Sequence, residues 1–151
     1  MNYKKFDKEL YKQCDNKGKQ VAIQLLQHFG YTLKDDTEAY KDRDLIMMKD
    51  GEDVWVEAEY SPSWKTTTWP SHWAMTCPTR KNQSKAHLYI RTNESQTTAI
   101  VVPMQKVHSA NVIRKDTYYT KNESFYSLSI SDCDVFVLSE PDKTNNRYIK
   151  S

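Results

Sequence analysis

The sequence predicts an α+β domain in which N-terminal helices pack on a mixed β-sheet. Two observations predict it. Apolar residues recur at helical spacing near the start of the chain, and from about residue 44 the pattern changes to short alternating runs bounded by turn residues. A third observation, the length of 151 residues, suits one domain (residues 1–151) with one substantial core.

The elements follow in order. Tyr3, Phe6, Leu10, Tyr11 and Cys14 predict an amphipathic helix within residues 1–16. Asp15 or Asn16 is a candidate cap for a second helix, in which Val21, Ala22, Leu25, Leu26 and Phe29 form a wide apolar stripe and Gly30 marks the stop. One helix bent near Gly18 is the alternative. Tyr31–Leu33 suggests a short strand. Asp44–Met48 and Val54–Tyr60 give the clearest strand signals, joined by the turn Lys49–Asp53. Residues 61–86, rich in Trp, Thr, Pro and Ser, read as an irregular excursion. Strands are expected again at His87–Thr92 and Thr98–Met104 around the turn Asn93-Glu94-Ser95, and at Phe125–Ile130 and Asp134–Leu138, while the segment near Val112 is ambiguous. From Glu140 the chain reads as a frayed tail.

Composition excludes several classes. The chain is 38% apolar and 12% aromatic, so a packed interior is feasible. No apolar run approaches the roughly 20 residues of a membrane helix. A net charge of +2, from 22 basic and 20 acidic residues, does not mark a strongly basic nucleic-acid binder, although it leaves room for local patches. Three glycines argue against repeated Gly-rich phosphate loops. The first residues carry charge and no apolar stretch of a signal peptide. Cys14, Cys77 and Cys133 are widely spaced with no CxxC pair, so no disulfide framework or structural zinc site is expected, and a cytoplasmic setting fits. The sequons at Asn82, Asn93 and Asn122 therefore read as chance.

The informative segment runs from Tyr40 to Tyr60. Side chains alternate along a strand, so Glu57 and Glu59 point to one face, and Val54, Val56, Ala58 and Tyr60 to the other. If Met47 pairs with Val54, Asp44 lies opposite Glu57, the apolar residues make one continuous face and the three acids collect on the other. A one-residue slip would drive Asp44 into the apolar face, at the cost of burying an unpaired carboxylate. Three converging carboxylates repel one another and favour a cation, and an all-oxygen set suits Mg²⁺ or Mn²⁺. The alternative is that Glu57 and Glu59 line a solvated face with no function. Trp55, Ile46 and Met48 share that face, so it is not simply a wet one.

The run Lys-Gln-Val-Ala-Ile-Gln-Leu-Leu-Gln-His-Phe-Gly-Tyr31, followed by Arg-Asp-Leu-Ile-Met-Met and Val-Trp-Val-Glu-Ala-Glu-Tyr60, resembles the core of the PD-(D/E)xK nuclease superfamily, the restriction-endonuclease-like and Holliday-junction-resolvase-like enzymes. The resemblance covers residues 17–61 and rests on the order helix, Gly-Tyr exit, Asp strand, Gly turn and ExE strand. It implies a restriction-endonuclease-like fold, metal ligation by Asp44 and Glu57, hydrolysis of DNA phosphodiesters with Mg²⁺ or Mn²⁺, and often a homodimer. RNA is the other nucleic acid such a site would take. Glu59 stands where the family usually has Lys, which makes it a candidate third ligand or base, as in ExE members. The family's first-helix Glu is replaced by Lys19 and Gln20, with Glu9 as a distant substitute. These departures support a second reading, an inactive nucleic-acid- or protein-binding module that keeps the fold.

Lys65, Trp69, Trp73, Arg80, Lys81 and Lys85 mix rings with cations, a combination that stacks on bases and holds phosphates. Arg80 or Lys81 is placed to replace the missing motif lysine in space. The competing reading is that the tryptophans fill a core beneath a long loop and the cations are solvated. His28, His72, His87 and His108 form no metal-ligating pattern, and Cys77 has no base beside it in sequence.

Overall fold

The computed structural model describes residues 8–37, 39, 42–70, 73–117, 121–138 and 149–150, with the backbone alone of 8–14 and 149–150. In chain order the elements are α1 (Lys8–His28), β1 (Thr32–Asp35), β2 (Leu45–Lys49), β3 (Glu52–Tyr60), β4 (Met75–Pro78), a 3₁₀ turn (Thr79–Gln83), β5 (Leu88–Thr92), β6 (Thr98–Pro103), α2 (Met104–His108), β7 (Asn111–Lys115), β8 (Glu123–Leu128), a second 3₁₀ turn (Ile130–Asp132), β9 (Asp134–Leu138) and β10 (Ile149–Lys150). The expected α+β class is observed: a mixed sheet carries the N-terminal helix on one face and a three-stranded sheet on the other. Among the described residues no helix is long and apolar enough to cross a membrane.

The two expected N-terminal helices are one. Asp15 pairs with Lys19 one turn on, at 3.2 Å, and does not cap a new helix. Gly18 sits inside the continuous helix. A Cβ there would meet the Glu59 carbonyl carbon and the Tyr60 nitrogen at 3.1 Å, so the glycine lets α1 lie directly on the β3 backbone. Gly18→Ala gains helix propensity of about 1 kcal/mol yet forces helix and strand apart. We expect a net loss of about 1–2 kcal/mol in urea denaturation, the usual scale of overpacking; unchanged or increased stability would show that the contact yields without strain. The helix ends as Gly30 predicts. Gly30 has φ +92°, its N–H donates to the Gln27 carbonyl, and the Tyr31 N–H donates to Leu26.

The large sheet has the order β1-β2-β3-β5-β6-β9-β10. Its pairs are antiparallel except β3–β5, which is parallel. Asp50 and Gly51, both at positive φ, form the two-residue β2–β3 turn, the backbone that best matches strand twist. The register is the one that keeps carboxylates out of the apolar face: Met47 pairs with Val54 and Leu45 with Val56. Val21, Ala22, Leu25 and Leu26 of α1 therefore close on Leu45, Met47, Val56, Ala58 and Ile90. The second sheet, β4-β8-β7, helps cover the opposite face, where Trp64, Met75, Cys77, Tyr89, Ile100, Val102, Met104 and Leu128 are buried together.

Residues 61–86, expected to be irregular, contain β4 and the first 3₁₀ turn; β4 is only four residues long, too short for an alternation to stand out. The ambiguous segment near Val112 is β7, and the five-residue α2 lies where the β6 pattern was expected to end. Most of the expected frayed tail lies outside the described residues, but Ile149 and Lys150 pair with Leu138 and Val137 as an edge strand.

Candidate active site

Asp44 immediately precedes β2, and its N–H donates to the Val56 carbonyl at 2.9 Å. That bond sets it beside Glu57, on the sheet face away from α1. Both side chains are buried, with Asp44 5% and Glu57 3% exposed. The Ala58 N–H donates to Asp44 Oδ2 at 2.8 Å. The first 3₁₀ turn, which follows β4, brings up a cation and a hydroxyl. Lys81 Nζ lies 2.8 Å from Glu57 Oε2, and Ser84 Oγ lies 3.0 Å from Glu57 Oε1.

The turn itself is fixed to the segment that leads through Asp44 into β2. The Lys85 N–H donates to the Asp42 carbonyl at 2.8 Å, and Ser84 Oγ lies 3.1 Å from the same oxygen. His108 Nε2 bonds the Lys81 carbonyl at 3.0 Å from the side of α2. Lys81 is therefore held at Glu57 by backbone anchors on either side as well as by charge.

The electrostatics are uneven. Burial, and next the neighbouring Glu57, push the Asp44 carboxyl up to about 7, against the stabilising Ala58 N–H. Burial also works against the Lys81 ammonium, but Glu57, with Asp44 and Glu59, outweighs it and holds the amine above its ordinary range. Among the described residues Asp44 has no ion-pair partner. The cluster thus carries one carboxylate more than its own cations neutralise, and near neutral pH it takes up a proton instead.

Glu59 departs from the expected three-carboxylate cluster. No group of three or more acidic, histidine or cysteine side chains able to hold a metal converges among the described residues. The cause is the parallel partner strand. Arg91 stands opposite Glu59 on β5, and its guanidinium donates to Glu59 Oε2 at 3.1 Å. The Tyr89 hydroxyl donates to the same oxygen. Glu59 is thereby tied into a separate ion pair.

Tyr89, Arg91 and Ser84 are absent from the residues the sequence singles out. Tyr89 and Arg91 share one face by alternation, but only the parallel β3–β5 pairing places them against Glu57 and Glu59. No local signal marks Ser84. Lys19 and Gln20 lie on α1, which packs on the other face of the sheet, so neither joins the acids. The side chain of Glu9 lies outside the described residues.

The cationic and aromatic residues divide into two groups. Arg80, Lys81 and Lys85 surround the 3₁₀ turn at the acids; Arg80 pairs with Glu123 at 2.7 Å, and Lys85 is exposed. Lys65 pairs with Glu94 in the β5–β6 turn. Glu94 lies five residues beyond Tyr89, the partner of Glu57, which is roughly 15 Å along the strand. Trp64 is a core residue, 1% exposed. Trp69 stacks edge-on between Trp64 and Trp73, with centroids 5.0 and 5.7 Å away, and donates its indole N–H to the Trp73 carbonyl. Trp64 therefore fills a core and Trp69 supports it, whereas Trp73 is 42% exposed. His72 lies outside the described residues. Burial, and next the charge of Glu59, raise the Cys77 thiol to about 12, so it stays protonated and is not a nucleophile at neutral pH.

Comparison of the chain with protein-family models, with curated proteins and with solved structures gives no match.

Proposed function

We propose that the chain is a metal-dependent phosphodiesterase acting on DNA, of the endonuclease or junction-resolving type, built on a variant of the PD-(D/E)xK pattern in which Lys81 stands in for the motif lysine. The observation that carries this reading is the contact of Lys81 Nζ with Glu57 Oε2 beside the buried Asp44, which has no ion-pair partner among the described residues. The donor set fits Mg²⁺ or Mn²⁺: such ions take one or two carboxylates and leave the remaining positions to water and phosphate. Asp44 and Glu57 would hold the ion, which when bound supplies a polarised phosphoryl group and a more acidic water. Glu57 is oriented by Ser84 and Lys81 from its two oxygens. Lys81 offers a fixed ammonium to the charge that grows on the phosphate oxygens. Arg80 and Lys85, at the same turn, attract the phosphate backbone.

The second reading, a nucleic-acid- or protein-binding module without catalysis, is favoured by one feature: Lys81 and Arg91 already pair with Glu57 and Glu59. The test is cleavage of supercoiled and branched DNA with Mg²⁺ or Mn²⁺ against a chelator control, alongside thermal unfolding. A cation at about 100 times its Kd adds about 2.7 kcal/mol of stability, so the melting temperature should rise and cleavage should appear together. A melting temperature unmoved by millimolar metal, with DNA bound but uncut, would transfer the chain to the second reading.

A further inference from the structure

The second sheet ends in β7, all five of whose residues are exposed. Val112 and Ile113 are 55% and 38% exposed, and Arg114 and Lys115 follow them. Neither cation forms an ion pair among the described residues; Lys115 Nζ lies 4.9 Å from the centre of the Phe125 ring. The cross-strand partner of Lys115 is Glu123 on β8, and Glu123 Oε1 holds Arg80 at 2.7 Å. Arg80 precedes Lys81, which touches Glu57. A charged row therefore runs from the β7 edge, through Glu123 and Arg80, to the candidate site.

Adjacent strands lie about 4.8 Å apart, so β7 is about 10 Å from β4 and the turn that follows it. That is about three nucleotides of one strand at 3.4 Å each. An open strand edge also invites a second copy of the chain. Antiparallel pairing about Ile113 would, however, bring two Arg114 and two Lys115 side chains into one interface, and cations on an edge strand are a common device against such pairing. The same charges suit a polyanion.

We infer that the β7 edge holds the phosphate backbone of a DNA duplex engaged at the Asp44–Glu57 site, with Arg114 and Lys115 contacting phosphates and Glu123 holding Arg80 between the two; this rests on the nucleic-acid reading above. Arg114 reaches the backbone from one face of the sheet and Lys115 from the other, because alternate residues project oppositely. Glu123 tempers the row, both by its own charge and by occupying Arg80.

The test is duplex binding by fluorescence anisotropy in a chelator, over a range of salt, with sedimentation of each variant. Arg114→Gln/Lys115→Gln should weaken binding roughly tenfold at low salt and lower the salt slope by about two, one per lost phosphate contact. Glu123→Gln should act in the opposite direction, tightening binding about threefold and steepening the slope, because it frees Arg80 and removes a repelling charge. A merely structural role for the row predicts weaker binding for Glu123→Gln. Unchanged binding in both variants, with the wild type bound, overturns the β7 surface and leaves the phosphodiesterase reading intact. Loss of a wild-type dimer in the double variant also overturns it, in favour of a second copy. A wild type that binds no duplex overturns both readings.

Discussion

Replacing Lys81 by methionine is expected to lower DNA cleavage by about two to three orders of magnitude, the scale seen when one preorganised charge is removed from a developing anion. The same change should alter stability in a diagnostic way. Glu57 is 3% exposed, and Lys81 is its direct cationic partner. Deleting one member of a buried pair leaves an uncompensated charge and costs about 3–5 kcal/mol. Lys81 is 31% exposed at its side chain, which puts the expected loss at the low end. A divalent cation would supply the missing positive charge, so the metal-induced rise in melting temperature should be larger in Lys81→Met than in wild type. Cleavage and metal stabilisation thus move in opposite directions. Glu59→Gln provides the contrast. It strips Arg91, 12% exposed, of its carboxylate and should destabilise the fold while leaving cleavage per folded molecule within about tenfold. Full cleavage by Lys81→Met, or a hundredfold loss in Glu59→Gln, would return the catalytic role to the ExE strand.

This division of labour between Glu57 and Glu59 marks the limit of what the sequence discloses. The Asp44–Glu57 pairing was readable because side-chain alternation and the cost of burying a carboxylate leave one sensible register, and Met47 does pair with Val54. The helix end at Gly30 was readable because a left-handed residue is needed there. The partner of Glu59 was not. Arg91 comes from a strand 32 residues away, in parallel pairing, and no local pattern announces which strands become neighbours across a crossover. Gly18 misleads for a related reason. In sequence it suggests a bend, but its missing side chain answers to the β3 backbone that α1 crosses. The Trp-rich stretch was ambiguous between stacking on bases and filling a core, and the burial of Trp64 depends on β5, β6 and β8 arriving from elsewhere in the chain.

Asp44→Asn should stabilise the metal-free protein at pH 8 and abolish its response to metal. The folded-state Asp44 carboxyl titrates near 7, whereas an unfolded aspartate titrates near 3.9. Between those values the folded chain holds a proton that the unfolded chain has lost. Stability from this group is therefore fully present below about pH 4, declines as pH rises through the window, and is gone above about pH 7. Asparagine removes the buried charge and its repulsion with Glu57, yet its amide oxygen still accepts the Ala58 N–H. The variant should equal wild type near pH 4 and exceed it by about 4 kcal/mol at pH 8, about three pH units at about 1.36 kcal/mol each. At about 2–4 °C per kcal/mol that is roughly 8–16 °C in melting temperature. A saturating divalent cation should reverse the order at pH 8, because it competes with the proton for the wild-type carboxylate and finds no such ligand in the variant. A buried carboxylate that weakens the empty fold and strengthens the loaded one is the signature of a binding site held under electrostatic strain. If Asp44→Asn is the less stable protein at pH 8 without metal, the carboxylate is already satisfied within the fold, and the pair with Glu57 is structural.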